Sequence, residues 1–112
     1  MEARERDVKE YLTVSGKSPF SEWLNGLRDA QTRAIIRKRV NRLRKGNFGD
    51  SKPVGDGVSE LRIDFGPGFR AYFGQDGETI VVLLCGGDKS TQDADIEKAK
   101  EYWKDYRSQS ND

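Results

Sequence analysis

The fold is decided by residues 58–91, which read VSELRIDF (58–65), GPG (66–68), FRAYFG (69–74), QDGE (75–78), TIVVLLC (79–85) and GGDKST (86–91). In the first segment Leu61, Ile63 and Phe65 alternate with polar residues, and this period of two is typical of a half-buried strand. The second segment alternates in the same way. Residues 80–84 are apolar throughout, so we expect this third strand to lie centrally and to be covered on both sides. The stretch is therefore predicted to form an antiparallel three-stranded meander.

The turn at residues 66–68 sets the register of the first two strands. A three-residue loop there predicts four cross-strand pairs, which are Phe65 with Phe69, Asp64 with Arg70, Ile63 with Ala71, and Arg62 with Tyr72. In this register Arg62 and Arg70 lie on the same polar face of the sheet. The third strand then ends near them, at Asp88.

The two arginines have two possible roles on this face. Arg70 can form an ion pair with Asp64 across the strands, and Arg62 can pair with Glu60 or stack on a tyrosine. Alternatively, both arginines converge with Lys89 in a cleft where guanidinium groups and a lysine bind a phosphate. The GGDKST segment itself is not a nucleotide phosphate loop, because that motif needs a glycine immediately before the lysine.

Strand and helix patterns flank the meander. In chain order they are a short strand (8–13), a helix (19–27), a second helix (30–45) ended by Gly46, a loop (46–57) and a last helix (92–107). Ser18 and Asp29 precede the first two helices and are favourable N-caps. Ser90 or Thr91 is predicted to cap the last helix.

Composition excludes several classes of function. The chain has 112 residues, which predicts a single domain (1–112) with frayed ends at 1–7 and 108–112. It has no histidine, and its single Cys85 follows an apolar strand, which predicts a buried hydrophobe and argues against a cysteine nucleophile or a zinc site. No apolar run reaches the roughly 18–20 residues that span a membrane, and the N-terminus lacks the apolar core of a signal peptide, so we expect a cytoplasmic protein.

The net charge of +1 conceals a strongly basic segment. Residues 28–45 carry eight basic residues and one acid, giving +7, whereas residues 88–112 carry five basic and seven acidic residues, giving −2. The second helix therefore presents a basic ridge, defined here as Arg37, Lys38, Arg42, Arg44 and Lys45. This ridge is either a solvated helix face or a surface that faces phosphates or an acidic partner, because like charges at helical spacing repel one another.

Five blocks of sequence together carry a family resemblance. They are SPF.EWL (18–24), GNFGD.KPVG (46–55), ELR (60–62), GPGFR.YF (66–73) and LLCGGDKSTQ..DI (83–96). In this order they resemble the addiction-module killer proteins, a HigB-like branch of the RelE/ParE toxin superfamily of bacterial toxin–antitoxin systems. The likeness extends from Tyr11 to Trp103. It implies a RelE-like α+β fold with an N-terminal strand, two helices, a three-stranded antiparallel meander and a C-terminal helix.

The resemblance also implies an activity and a partner. RelE-like toxins cleave messenger RNA in the ribosomal A site, and a cognate antitoxin protein neutralises them. The residues that match the family's basic catalytic positions are Arg62, Arg70 and Lys89. Lys52 is a looser match to a lysine that precedes the meander in some members. The residues predicted to contact the RNA phosphate around the catalytic positions are Lys52, Tyr72, Asp88, Ser90 and Thr91.

Such a cleavage implies no metal and no cofactor, because the 2′-hydroxyl of the RNA attacks the adjacent phosphate. The two arginines would stabilise the phosphorane, and Lys89 would act as general base or acid, with Asp88 and Tyr72 as weaker candidates. Because histidine is absent, the ribosome is expected to orient the RNA. Two other classes stay open: a non-enzymatic inhibitor of DNA gyrase, as ParE-type members are, and a nucleic-acid or protein-binding module that does not cleave.

Overall fold

The computed structural model describes residues 5–109, and its elements are β1 (Asp7–Glu10), α1 (Pro19–Gly26), α2 (Ala30–Arg44), β2 (Ser51–Gly55), β3 (Val58–Ile63), β4 (Phe69–Asp76), β5 (Ile80–Asp88), a 3-10 turn (Lys89–Thr91) and α3 (Gln92–Gln109). These strands form one sheet in the order β1-β5-β4-β3-β2. β1 runs parallel to β5, and the other neighbours are antiparallel. The predicted α+β class is confirmed.

Helices cover both faces of the sheet. The buried side chains that α1 and α2 bring to one face are Phe20, Leu24, Ile36, Val40 and Leu43. Those that α3 brings to the opposite face are Ala99, Trp103 and Tyr106. β5 contributes to both layers, with Val81 and Leu83 on the first and Val82 and Leu84 on the second. The prediction that this strand is covered on both sides is therefore confirmed.

An extra residue in β5 determines how its end is presented. Tyr72 pairs with Cys85, but Phe73 pairs with Leu83, so Leu84 is left without a partner in β4. This β-bulge places both Leu84 and Cys85 against α3. A bulge of this kind bends its strand and increases the local twist, here just before the segment that leads to Lys89.

The predicted helix starts agree with the structure at two of three positions. The Ser18 hydroxyl accepts a hydrogen bond from the Ser21 N–H (3.1 Å), with Pro19 in the first helical position, and Asp29 accepts one from the Gln31 N–H (3.2 Å). At the third position the prediction of a Ser90 or Thr91 cap is wrong. Ser90 and Thr91 lie in a 3-10 turn that precedes α3, and Asp88 caps that turn by accepting a hydrogen bond from the Ser90 N–H.

Residues 46–57, predicted as a loop, contain the strand β2. The predicted three-stranded meander is therefore corrected to four antiparallel strands, β2 to β5, with β1 added in parallel to β5. β2 pairs with β3 at the outer edge of the sheet. Its proline, Pro53, is compatible with an edge strand because an edge residue needs no ladder N–H. The pairing is irregular between Pro53 and Gly55, and Asp56 has a φ of 56° in the turn that follows. The glycine- and aspartate-rich composition therefore reflects this turn.

The predicted register of the β3–β4 hairpin is also wrong, by two residues. Arg62 lies opposite Arg70, and Ile63 lies opposite Phe69. The connection is longer because the Phe65 N–H donates to the Ile63 carbonyl (2.9 Å) and the Phe65 carbonyl accepts from the Gly68 N–H (3.2 Å). These bonds occupy the groups that would have continued the ladder. Since the shift is an even number of residues, each side chain keeps its predicted face.

The remaining expectations concern the two ends of the chain and the absence of a membrane span. Residues 1–4 and 110–112, where most of the predicted fraying falls, lie outside the described residues. Among the described residues, Asp7 already belongs to β1, and α3 continues to Gln109, so the regular structure extends slightly into both segments that were predicted to fray. None of the helices between residues 5 and 109 has the length and apolar character needed to cross a membrane.

Candidate active site

The centre of the site is a buried carboxylate. Glu60 lies in β3 with no exposed surface. Its Oε1 lies 3.3 Å from Nε of Arg62 and 3.6 Å from Nε of Arg70. Its Oε2 accepts hydrogen bonds from the Tyr72 hydroxyl (3.3 Å) and from the Gln92 side-chain amide (2.8 Å). One carboxylate therefore joins two arginines to a core tyrosine and to the first residue of α3.

The two arginines lie side by side. Arg70 is 11% exposed and Arg62 is 37% exposed. Nη1 of Arg70 donates to the carbonyls of Gly68 (3.0 Å) and Phe69 (3.3 Å), so this side chain curls back over the turn. The carboxylate that faces Arg70 is Glu60 and not Asp64, because the register differs from the predicted one.

Lys89 approaches this pair from the end of β5. It is exposed, in the 3-10 turn. A Cβ placed on Gly68, whose φ is +83°, would lie 3.3 Å from Nη1 of Arg70 and 3.7 Å from Cβ of Lys89. Glycine at this turn therefore lets Arg70 and Lys89 approach each other. The structure brings the three predicted catalytic residues to one end of the sheet, and their catalytic role stays a prediction.

Asp88, Ser90 and Thr91 form the turn that carries Lys89. Oδ1 of Asp88 accepts from the Ser90 hydroxyl (2.5 Å) and the Ser90 N–H (2.8 Å), and these bonds hold the pKa of Asp88 below its ordinary value. The Thr91 hydroxyl donates to Asp95 at 2.5 Å. These groups therefore position Lys89, while their contact with an RNA phosphate remains a prediction.

Lys52 and Tyr72 have different relations to the site. Lys52 is exposed on the edge strand β2 and pairs with Glu60, so it lies on the same face as the arginines. Tyr72 has no exposed surface, and burial followed by the charge of Glu60 raises the pKa of its phenol. Because its hydroxyl is below the surface and bound to Glu60, the predicted contact of Tyr72 with RNA does not hold in this structure.

The basic ridge lies on another layer of the molecule. All five of its residues are exposed, four of them on α2 and Lys45 directly after it, and α2 packs on the face of the sheet opposite Glu60. The α2 residue that reaches the site is Arg39, whose Nη2 lies 3.4 Å from the Arg62 carbonyl. Burial, and then the charge of Arg42, lowers the pKa of Arg39. The ridge and the arginine pair are thus separate cationic surfaces.

The predicted burial of Cys85 is confirmed. Its thiol is covered by α3, and burial, with the charge of Asp95 adding to it, raises the pKa of Cys85 to about 12. A thiolate nucleophile is therefore not available at neutral pH. Within residues 5–109, no group of three or more histidine, cysteine, aspartate and glutamate residues is arranged to hold a metal ion.

Sequence reasoning missed the importance of Glu60 and Gln92. Residues 80–84 are apolar throughout, which already indicated a sheet covered on both faces. On such a sheet a polar residue in the middle of a strand is buried. That inference would have found Glu60. Gln92 contacts it across 32 positions of sequence, and no local pattern reports such a contact.

Comparisons of the sequence with known proteins identify its family. Residues 22–104 match the family described as Phage derived protein Gp49-like (DUF891). An uncharacterized protein of Haemophilus influenzae is 53% identical over 81 residues, which are 72% of this chain and 82% of the relative. The family match spans every residue of the arginine site. The matching family is a toxin-like family of addiction modules, and the fold of this chain is a small α+β one. The chain belongs to the phage-derived Gp49-like family.

Proposed function

We propose that this protein is the toxin of a type II toxin–antitoxin system, of the HigB-like branch, and that it cleaves messenger RNA on the ribosome. The observation that carries the proposal is the pairing of Arg62 with Arg70 on adjacent strands, with Lys89 beside Arg70 at the same end of the sheet. Family membership supports the toxin role and implies an antitoxin protein as partner.

The arrangement suits a reaction in which the RNA supplies its own nucleophile. The 2′-hydroxyl attacks the adjacent phosphorus, the phosphorane gains negative charge, and the 5′-oxygen leaves with a proton. Arg62 and Arg70 are permanent cations that can donate paired hydrogen bonds to the phosphate oxygens. Lys89, on an exposed and movable stem, is placed to exchange a proton with the attacking or leaving oxygen. The ribosome would supply the orientation of the RNA.

The test is a cell-free translation reaction with a defined messenger. The wild-type protein, Arg70→Ala and Arg28→Ala are added separately, and RNA 5′ ends are mapped by primer extension. Arg28 is exposed and outside the site, so its variant loses the same charge without touching the arginine pair. We expect ribosome-dependent cuts with the wild type and Arg28→Ala, and none with Arg70→Ala. Intact messenger with the wild-type protein would overturn the proposal, and a gyrase supercoiling assay would follow.

A further inference from the structure

Glu60 uses its two oxygens for two separate tasks. Oε1 accepts a hydrogen bond from Nε of Arg62 (3.3 Å) and forms an ion pair with Arg70, whose Nε lies 3.6 Å away, beyond hydrogen-bond distance. Oε2 accepts hydrogen bonds from Tyr72 in β4 and Gln92 in α3. The carboxylate is thus fixed by the core on one side and contacts both guanidinium groups on the other. A buried carboxylate held at both oxygens has little freedom to move.

The contacts to Nε leave the far ends of the guanidinium groups for a ligand. Across residues 5–109, the side-chain hydrogen bond of Arg62 runs from Nε, and Arg70 uses Nη1 for the turn carbonyls. The η nitrogens of Arg62 and Nη2 of Arg70 therefore remain for an anion. Two like charges directly opposite each other on adjacent strands repel, and the carboxylate between them offsets that repulsion.

We propose that Glu60 is a positioning residue for the cleavage reaction: its Oε1 holds Arg62 by a hydrogen bond to Nε and Arg70 by an ion pair, so that the η nitrogens of both arginines converge on one phosphate. This inference rests on the proposed function. It assigns to Glu60 no contact with the RNA. Its predicted effect is on the geometry of the transition state, since a misplacement of about 1 Å in a positioned group can reduce a rate about 100-fold.

The competing explanation is that Glu60 only neutralises a nearly buried arginine and thereby stabilises the fold. The two explanations differ in what Glu60→Gln does to a protein that is still folded. Glutamine has almost the same shape, but it has no charge to hold two guanidinium groups. If Glu60 is only structural, folded Glu60→Gln should cleave at the wild-type rate.

Single-turnover cleavage on programmed ribosomes separates these outcomes. Toxin is titrated in excess, which gives a plateau rate for the chemical step and a half-saturating concentration for binding. For Glu60→Gln we expect a plateau rate about 100-fold lower, with half-saturation within about threefold of wild type, because both cations remain. Glu97→Gln, an exposed α3 residue with the same loss of charge, is the matched control and should retain the wild-type plateau. A wild-type plateau for folded Glu60→Gln would overturn the proposal.

Glu60→Asp covers the case in which Glu60→Gln does not fold. Aspartate keeps the charge but is one methylene shorter, so it cannot reach both Nε atoms while bound to Tyr72 and Gln92. We expect the same loss of plateau rate, and an undiminished rate would refute the positioning role.

A measurement without ribosomes tests the contact between Glu60 and the arginines separately from the proposed function. In proton–nitrogen NMR spectra, the Nε–Hε signals of Arg62 and Arg70 should be distinct from those of exposed arginines in the wild type, and should lose that distinction in Glu60→Asp. If these signals change as expected but the wild type cleaves no messenger, the proposed function fails while the positioning contact stands. Unchanged signals would refute the contact itself.

Discussion

Replacing Gly74 with alanine should destabilise the protein, although glycine is a poor residue for a strand. Gly74 is buried in β4, opposite Val58. A Cβ at this position would lie 2.5 Å from Cε3 and Cζ3 of Trp103 and 2.7 Å from Cδ2. Carbon atoms do not approach this closely, so the Trp103 ring, and α3 with it, must move away from the sheet.

The expected magnitude is the difference between two opposing terms. Overpacking a core destabilises by about 1–3 kcal/mol. Gly→Ala in a compatible backbone stabilises by about 0.4–1 kcal/mol because it restricts the unfolded chain, and Gly74 lies outside the left-handed region that only glycine readily adopts. The net loss in the free energy of unfolding is about 1–2 kcal/mol. With a urea dependence of about 1–2 kcal/mol per molar, the unfolding midpoint should fall by about 1 M.

Urea unfolding followed by circular dichroism measures this change. Gly26→Ala is the matched control, because Gly26 is in α1 with nothing within 4 Å of its Cβ position; it should raise stability by up to about 1 kcal/mol. In a Trp103→Leu background, Gly74→Ala should lose less stability, because the ring that it meets is absent. An unchanged or higher midpoint for Gly74→Ala in the wild-type background would refute the steric reasoning.

Three further outcomes follow from the hydrogen bonds and burial. Because burial raises the pKa of Cys85 to about 12, folded protein at about pH 8 should react with iodoacetamide far more slowly than unfolded protein; equal rates would contradict burial. Asp88→Ala should lower stability at neutral pH by about 1 kcal/mol through loss of the cap. The pKa of Asp88 is lower in the folded protein than in the unfolded chain, so its ionised carboxylate stabilises the fold above the unfolded pKa of about 3.9. This stabilisation is lost as the pH falls through the folded pKa. The denaturation midpoints of the wild type and the variant should therefore converge in acid. Tyr72→Phe should lower the free energy of unfolding by about 1.5 kcal/mol, because Glu60 loses a buried donor; equal denaturation midpoints would contradict that bond.

The parts of the fold that could be predicted are those that depend on neighbouring residues. Ser18 and Asp29 cap helices by contacting N–H groups three and two residues away, so the signal is local. The period-two pattern of β3 likewise reports its own faces. β2 was missed because its pairing with β3 depends on the turn at residues 55–57, whose glycines and aspartate have the same composition as an unpaired loop.

The hairpin register shows why a correct face does not ensure a correct partner. Alternation fixes which side of the sheet Arg62 and Arg70 occupy, and any shift by an even number of residues preserves it. The partner depends on two hydrogen bonds within residues 63–68, which composition does not encode. The actual shift put the two arginines directly opposite each other. It therefore replaced Asp64 by Glu60 as the partner of Arg70, and Glu60, the predicted partner of Arg62, faces both arginines.

The burial of Glu60 also gives the site its balance of charge. Arg62, Arg70 and Lys89 bring three positive charges to this end of the sheet. Glu60, which is buried under α3 and poorly screened by water, and Asp88, in the turn beside Lys89, bring one negative charge each. The remainder is one positive charge. A phosphodiester carries one negative charge, whereas the phosphorane formed by 2′-hydroxyl attack approaches two. In the proposed reaction this positive site therefore stabilises the phosphorane more than the phosphodiester, because the phosphorane carries more negative charge, and such a difference is what lowers an activation barrier.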